Sequence, residues 1–162
     1  MLSTCLWFDT QAEEAANFYV GIFPNSKVGK ISRYPDSMPS GQGPDASRAG
    51  QVLTVEFEID GRRFMGLNGG PVFQHSEAVS FVVEVRDQAE LDRYWNALLQ
   101  GGGQESQCGW LKDRFGVSWQ VTPVQLAQLM SGPDKARTAR VFAAMLPMQK
   151  LDIATLEKAA EG

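Results

Sequence analysis

The chain has 162 residues, 43% of them hydrophobic and 21% charged, which fits one compact domain with a full core or two fused halves. A formal charge of -4 and a pI near 5.0 argue against a nucleic-acid footprint, which needs a basic surface. No apolar run approaches the ~18 residues of a membrane span, and Asp9, Glu13 and Glu14 follow too early for an export signal, so a cytoplasmic location is expected.

Thr4–Phe8 is a short apolar run within an expected first strand over 3–8, which ends at Asp9-Thr10. A helix is expected from Gln11 to Phe23, with Ala12, Ala15, Ala16, Tyr19 and Phe23 as its apolar stripe and Pro24-Asn25 as its stop. A strand over 26–34 follows. Residues 35–50 are rich in Gly and Pro and read as a long surface loop, with a lid as the functional alternative. Residues 51–60 alternate, with Val55, Phe57 and Ile59 on one face and Thr54, Glu56 and Glu58 on the other. Asp60-Gly61 is a hairpin turn signal, and 62–68 return as a strand before Gly69-Gly70-Pro71 breaks the chain.

The same plan then repeats. Strand 78–86 leads to a helix over 87–100, with Asp87 as its N-cap and Glu90 in the capping-box position. Leu91, Tyr94, Trp95, Leu98 and Leu99 form its stripe, and Gly101-Gly102-Gly103 end it. Strands are expected over 104–109, 110–114 and 117–122. Thr4 lies 14 residues before Phe18, and Ser80 lies 14 before Tyr94, so the two halves align through their helical aromatic pairs. Helices at 124–130, 133–145 and 152–160 form a Met- and Leu-rich tail expected to pack on the body or on a second subunit. The expected divisions are 1–70, 71–123 and 124–162. Cys5 and Cys108 are placed in strand-like segments and read as unpaired thiols, buried and inert rather than reactive.

The sequence resembles the PhnB-like branch of the vicinal oxygen chelate superfamily, whose members include glyoxalase I and bleomycin-resistance proteins. That branch is often labelled 3-demethylubiquinone-9 3-methyltransferase. The residues that carry the resemblance include Cys5-Leu6-Trp7-Phe8, Asn68-Gly69-Gly70-Pro71 and the run from Cys108 to Gln120. The resemblance implies an α+β fold of two βαβββ modules, each a curled mixed sheet with its helix on the convex side, enclosing a central cavity, with helices added at the C-terminus. Homodimers are frequent in the family and are expected here.

In metal-using members, ligands come from the first and fourth strands of each module. An offset of 13 residues before Asn17 places one such position at Thr4, and the same offset in the second half gives Ser80. Matching Arg63–Leu67 to Val117–Val121 gives Gly66 and Gln120. Glycine offers no ligand and neutral hydroxyls hold transition metals weakly, so no metal site is expected. His75 is read as a linker histidine. Strand parity adds Leu6 and Phe8, Val82 and Glu84, and Ser118 and Thr122 to the expected cavity lining, with Glu56 from the third strand. Trp7, Phe81, Val83, Trp119 and Val121 are expected under the helices.

The expected occupant is a small apolar or aromatic molecule in a metal-free cavity. Glu56 is the acid/base candidate, because an apolar pocket makes a carboxyl hold its proton more tightly. Asp113 is a weaker one, more readily read as part of a charged hairpin, Lys112-Asp113-Arg114. The alternatives are methyl transfer from S-adenosylmethionine, implied by the family label alone, and a metal-dependent glyoxalase or dioxygenase type of enzyme. No cofactor is expected from the residues: Gly101-Gly102-Gly103 closes a helix, and no glycine-rich turn opens one after a strand.

Overall fold

The computed structural model describes residues 2–36 and 46–162, so the greater part of the expected lid lies outside the described residues. The chain divides into two compact units, Met1–His75 and Ser76–Gly162.

In the first unit, β1 (Thr4–Phe8), β2 (Lys27–Arg33), β3 (Val52–Ile59) and β4 (Arg62–Asn68) form a sheet of order β1-β4-β3-β2. β1 runs parallel to β4, and the other neighbours are antiparallel. Asp60 and Gly61, with φ of 47° and 75°, make the β3–β4 turn, the left-handed pair that an Asp-Gly hairpin requires.

Helix α1 (Ala12–Ile22) lies on one face of this sheet through Ala12, Ala15, Ala16 and Tyr19. Tyr19 stacks on Phe57, and Phe57 on Phe64, with centroids 6.1 and 5.3 Å apart. Its N-terminal residue Gln11 makes no side-chain capping bond. Asn68, buried at the end of β4, does that work from another strand. Its Oδ1 accepts from the Ala12 amide at 2.9 Å and its Nδ2 donates to the Val52 carbonyl at 3.0 Å. The Asn68 carbonyl in turn accepts from the Tyr34 hydroxyl at 2.5 Å. One buried amide thus ties β4 to the start of α1 and to β3.

The second unit repeats the topology. Strands β5 (Ser80–Val85), β6 (Gln104–Glu105), β7 (Trp110–Lys112) and β8 (Ser118–Pro123) form a sheet of order β5-β8-β7-β6, with β5 parallel to β8. Helix α2 (Gln88–Leu99) packs through Leu91, Tyr94, Trp95 and Leu98. Asp87 caps it by accepting from the Glu90 amide at 2.8 Å. The Glu90 carboxylate accepts from the Arg86 amide at 2.9 Å, one residue earlier than a regular capping box.

Three helices follow: α3 (Val124–Met130), α4 (Lys135–Met145) and α5 (Ile153–Glu161). They are anchored by the buried Leu129, Val141, Leu151, Ile153 and Leu156, not by methionines; Leu146 is half exposed. The stretch before α5 is also held by main-chain bonds, Cys108 N–H to Met148 O and Gly109 N–H to Gln149 O, both 2.7 Å. Gln88 adds a side-chain bridge, donating to the Leu151 carbonyl at 3.2 Å and accepting from the Ile153 amide at 3.0 Å.

Candidate functional site

The covered and uncovered faces of each sheet decide which side chains can meet a ligand. In the second unit, Val85, Trp119, Val121 and Leu111 are all buried and share the face that carries α2. The opposite face presents Ser80, Val82 and Glu84 from β5, Ser118, Gln120 and Thr122 from β8, and Trp110 and Lys112 from β7. Val82 is 56% exposed there. Ser80 and Gln120 meet directly, the Gln120 carboxamide donating to the Ser80 hydroxyl at 2.9 Å. Ser80, Val82, Ser118 and Gln120 thus share the face without the helix, Ser118 buried among its neighbours there, while Phe81 and Trp119 pack against each other on the other face, with ring centroids 5.2 Å apart.

In the first unit the faces of β1 and β4 are inverted relative to the sequence reading, whereas those of β3 are as read. A Cβ on Gly66 would lie 3.0 Å from the Cβ of Ala12, so Gly66 points at α1. Leu6 is its partner across the parallel register, with Thr4 beside Phe64 and Phe8 beside Asn68 on the same side. Thr4, Leu6, Phe8 and Gly66 therefore lie on the α1 side of the sheet, and Leu6 and Phe8 are buried there. The uncovered face carries Cys5, Trp7, Met65 and Leu67 instead, together with Thr54, Glu56 and Glu58.

The cause is one residue in a connector. Three residues, Asp9, Thr10 and Gln11, join β1 to α1, whereas only Arg86 and Asp87 join β5 to α2. Aligning the halves through their helices carries that extra residue back into the strand, and a shift of one exchanges the faces. Trp7, expected under a helix, lies flat over Gly69, where an added Cβ would fall 2.1 Å from its ring. Its indole N–H donates to the Gly70 carbonyl at 2.8 Å, and Phe73 meets its ring edge-on at 4.9 Å.

Glu56 is exposed rather than enclosed in a pocket. It lines a shallow groove of about 230 Å³ with Ser3, Lys27, Glu58, Arg63 and Met65. Lys27 and Glu58 pair there at 3.2 Å, which puts an ion pair on the groove's rim.

Asp113 is almost fully buried, and its carboxylate is committed to structure. Oδ1 accepts from the Phe115 and Val117 amides at 2.8 and 3.1 Å, and Oδ2 from the Trp119 indole at 2.8 Å. It organises the β7–β8 turn and seats Trp119 beneath the sheet, rather than belonging to a solvated charged hairpin.

The cysteines also differ from expectation. Cys5 is exposed on β1, and partial desolvation pushes its thiol above the ordinary range, away from a reactive thiolate. Cys108 sits in a left-handed bend with φ of 57°, not in a strand. Its thiol lies 3.8 and 3.9 Å from the carbonyl oxygens of Met145 and Leu146.

Among the described residues, no group of three His, Cys, Asp or Glu side chains converges as a metal site would need. His75 meets the Phe8 ring edge-on at 5.4 Å. The donor set Ser80, Ser118 and Gln120 on the second unit is uncharged and includes no carboxylate or imidazole. These residues do not fit a transition metal. Nor do they form a nucleotide-type cradle: Asp9-Thr10-Gln11 after β1 contains no glycine, and β4 leads into no helix.

A model of the 3-demethylubiquinone-9 3-methyltransferase family matches residues 1–122. Among solved structures, a PhnB protein from Bacillus cereus, provisionally assigned as such a methyltransferase, is 32% identical with a TM-score of 0.63. The match covers 76% of this chain and 98% of that one. The protein PA1353 from Pseudomonas aeruginosa, 21% identical over 76% of this chain and 96% of its own, gives a TM-score of 0.60. The fosfomycin resistance protein FosX from Mesorhizobium loti, 14% identical over 86% of this chain and 97% of its own, gives 0.51. The last two likenesses concern the fold alone. A comparison with curated proteins gives no match.

Proposed function

The chain belongs to the PhnB-like 3-demethylubiquinone-9 3-methyltransferase family, within the vicinal oxygen chelate fold, and from that premise we propose that it binds a small apolar or aromatic molecule without a metal. The observation that carries this reading is the uncovered face of the second sheet. Val82 stands open there beside the bonded pair Ser80–Gln120, with the half-buried Trp110 on the neighbouring strand. Apolar surface with a few fixed neutral polar groups is what small organic ligands select. A homodimer in the cytoplasm is the proposed setting. No helix among the described residues is long and apolar enough to cross a membrane.

A thermal-shift screen with apolar and aromatic compounds tests the reading. Stabilisation by some of them, unchanged by a metal chelator, is the expected result; no stabilisation across a broad library, or stabilisation that a chelator abolishes, counts against it. Methyl transfer, the activity in the family's description, has a separate test. Calorimetry with S-adenosylmethionine is expected to show no binding, and micromolar affinity would reverse the reading.

A further inference from the structure

Ser118 stands out among the polar residues of the second unit. It is 2% exposed, yet its hydroxyl has no hydrogen-bond partner among the described residues. Buried hydroxyls are ordinarily paired, because leaving one unmade forfeits its hydration for nothing. The register puts Ser118 directly beside Ser80 on β5 and two residues before Gln120 on the same face. Ser80 accepts from Gln120, so the Ser80 hydroxyl hydrogen still has somewhere to go. Two hydroxyl donors and the Gln120 amide oxygen therefore share one small area of sheet.

We propose that Ser80, Ser118 and Gln120 form a recognition site for an uncharged carbonyl oxygen on a planar aromatic ligand. An oxygen with two lone pairs can accept from both hydroxyls at once. Val82 and Trp110 flank the three residues and offer the ring its contact surface. Local charge argues against an anion. Among the described residues of this face the cation is Lys112, engaged by Glu77 at 2.5 Å, an interaction that holds the Glu77 carboxyl below its ordinary range. Glu84, on the same face, adds a negative charge that a carboxylate ligand would meet. The site deepens the small-molecule reading above and rests on it.

The test uses the full chain and three probes of one ring system: 2-acetonaphthalene, 2-ethylnaphthalene and 2-naphthoate. Affinities are read by amide chemical-shift titration of the wild type, Ser118→Ala and Gln120→Leu. The ketone is expected to bind the wild type about fivefold or more tighter than the hydrocarbon, the worth of one to two net hydrogen bonds, with naphthoate weakest. Ser118→Ala is expected to remove most of the ketone's advantage and leave the hydrocarbon unchanged. Equal affinity for ketone and hydrocarbon, tighter binding of naphthoate, or a ketone preference that survives both substitutions would overturn this site while leaving the small-molecule reading intact. Absence of binding by all three probes, together with an empty thermal-shift screen, would remove both.

Discussion

Replacing Gly66 by alanine separates the two assignments of the first sheet's faces by the sign of the effect. Gly66 does not have positive φ, so its backbone accepts an alanine. On an uncovered face, Gly66→Ala would stabilise by about 0.4–1 kcal/mol, because the unfolded chain loses freedom. In the structure the new methyl lies 3.0 Å from Ala12 Cβ and 3.5 Å from its Cα and carbonyl oxygen. Carbon pairs settle at about 3.5–4.0 Å, so α1 must retreat by several tenths of an ångström. It is not free to do so, since Asn68 holds the Ala12 amide at 2.9 Å. Overpacking of this kind costs roughly 1–3 kcal/mol, which exceeds the entropic gain. The expected net loss is about 1–2 kcal/mol, or roughly 2–8 °C in Tm for a chain of this size. Urea denaturation followed by tryptophan fluorescence measures it. Ala12→Gly in the same chain should recover part of the loss, a coupling read from the double-mutant cycle. A Gly66→Ala protein as stable as the wild type, or more stable, would refute the placement of Gly66 against α1.

Other substitutions probe the second unit. Asp113→Ala orphans two amides and the Trp119 indole N–H, and should cost about 3–5 kcal/mol in urea denaturation with a loss of near-UV circular dichroism; a cost below ~1 kcal/mol would show that the carboxylate is dispensable. Ser118→Ala removes an unpaired buried hydroxyl and should raise stability by about 1 kcal/mol, so a clear drop in Tm would mean that the hydroxyl is satisfied in solution. Gly69→Ala must displace the Trp7 ring from 2.1 Å, with a shift in tryptophan emission as the readout; an unchanged spectrum and Tm would contradict the packing.

Acid should loosen the attachment of the last helix. Hydrogen bonds from Lys150 and Gln88 depress the Asp92 carboxyl, and those from Thr155 depress Asp152, each below its ordinary 3.8. A carboxyl depressed in the folded state contributes stability above its unfolded pKa and loses it as pH falls through the folded one. Amide exchange in α5, with intrinsic rates corrected for pH, should therefore keep full protection at pH 5 and lose it progressively below about pH 4. Asp152→Asn should weaken that dependence; protection unchanged from pH 5 to pH 2 would exclude the linkage.

Much of the fold was legible because the doubled pattern is carried by long amphipathic segments. The helix around Tyr19 and that around Trp95 bury the aromatic residue that the spacing selects. Faces were legible in the second unit and, in the first, along β3. Thr4, Leu6 and Phe8 were misassigned because strand parity is unforgiving: one extra residue in the β1–α1 connector is invisible to helical periodicity and reverses the strand, and the separate match of β4 to β8 put Gly66 on the wrong face in the same way. A local signal did exist, since Leu6 and Phe8 are large and apolar and the Val55, Phe57, Ile59 face of β3 needed partners of that kind. The roles of Asn68 and Asp113 were not legible. Each acts by hydrogen bonds to a backbone or ring that the turn itself brings near, and no residue pattern records that meeting.

The bonds from Cys108 and Gly109 to Met148 and Gln149 bear on how the C-terminal segment can be treated. The family match ends at residue 122, yet two main-chain donors within it find their acceptors well beyond it. Removing the last 39 residues, 124–162, to test association would strip those acceptors and uncover the β7 approach along with any subunit contact. A truncated chain would then report a damaged sheet as readily as a lost interface. Point changes on exposed α4 residues such as Phe142, which is 46% exposed, separate the two. In this protein the matched region is a unit of recognition, whereas the unit of folding extends through the last helix.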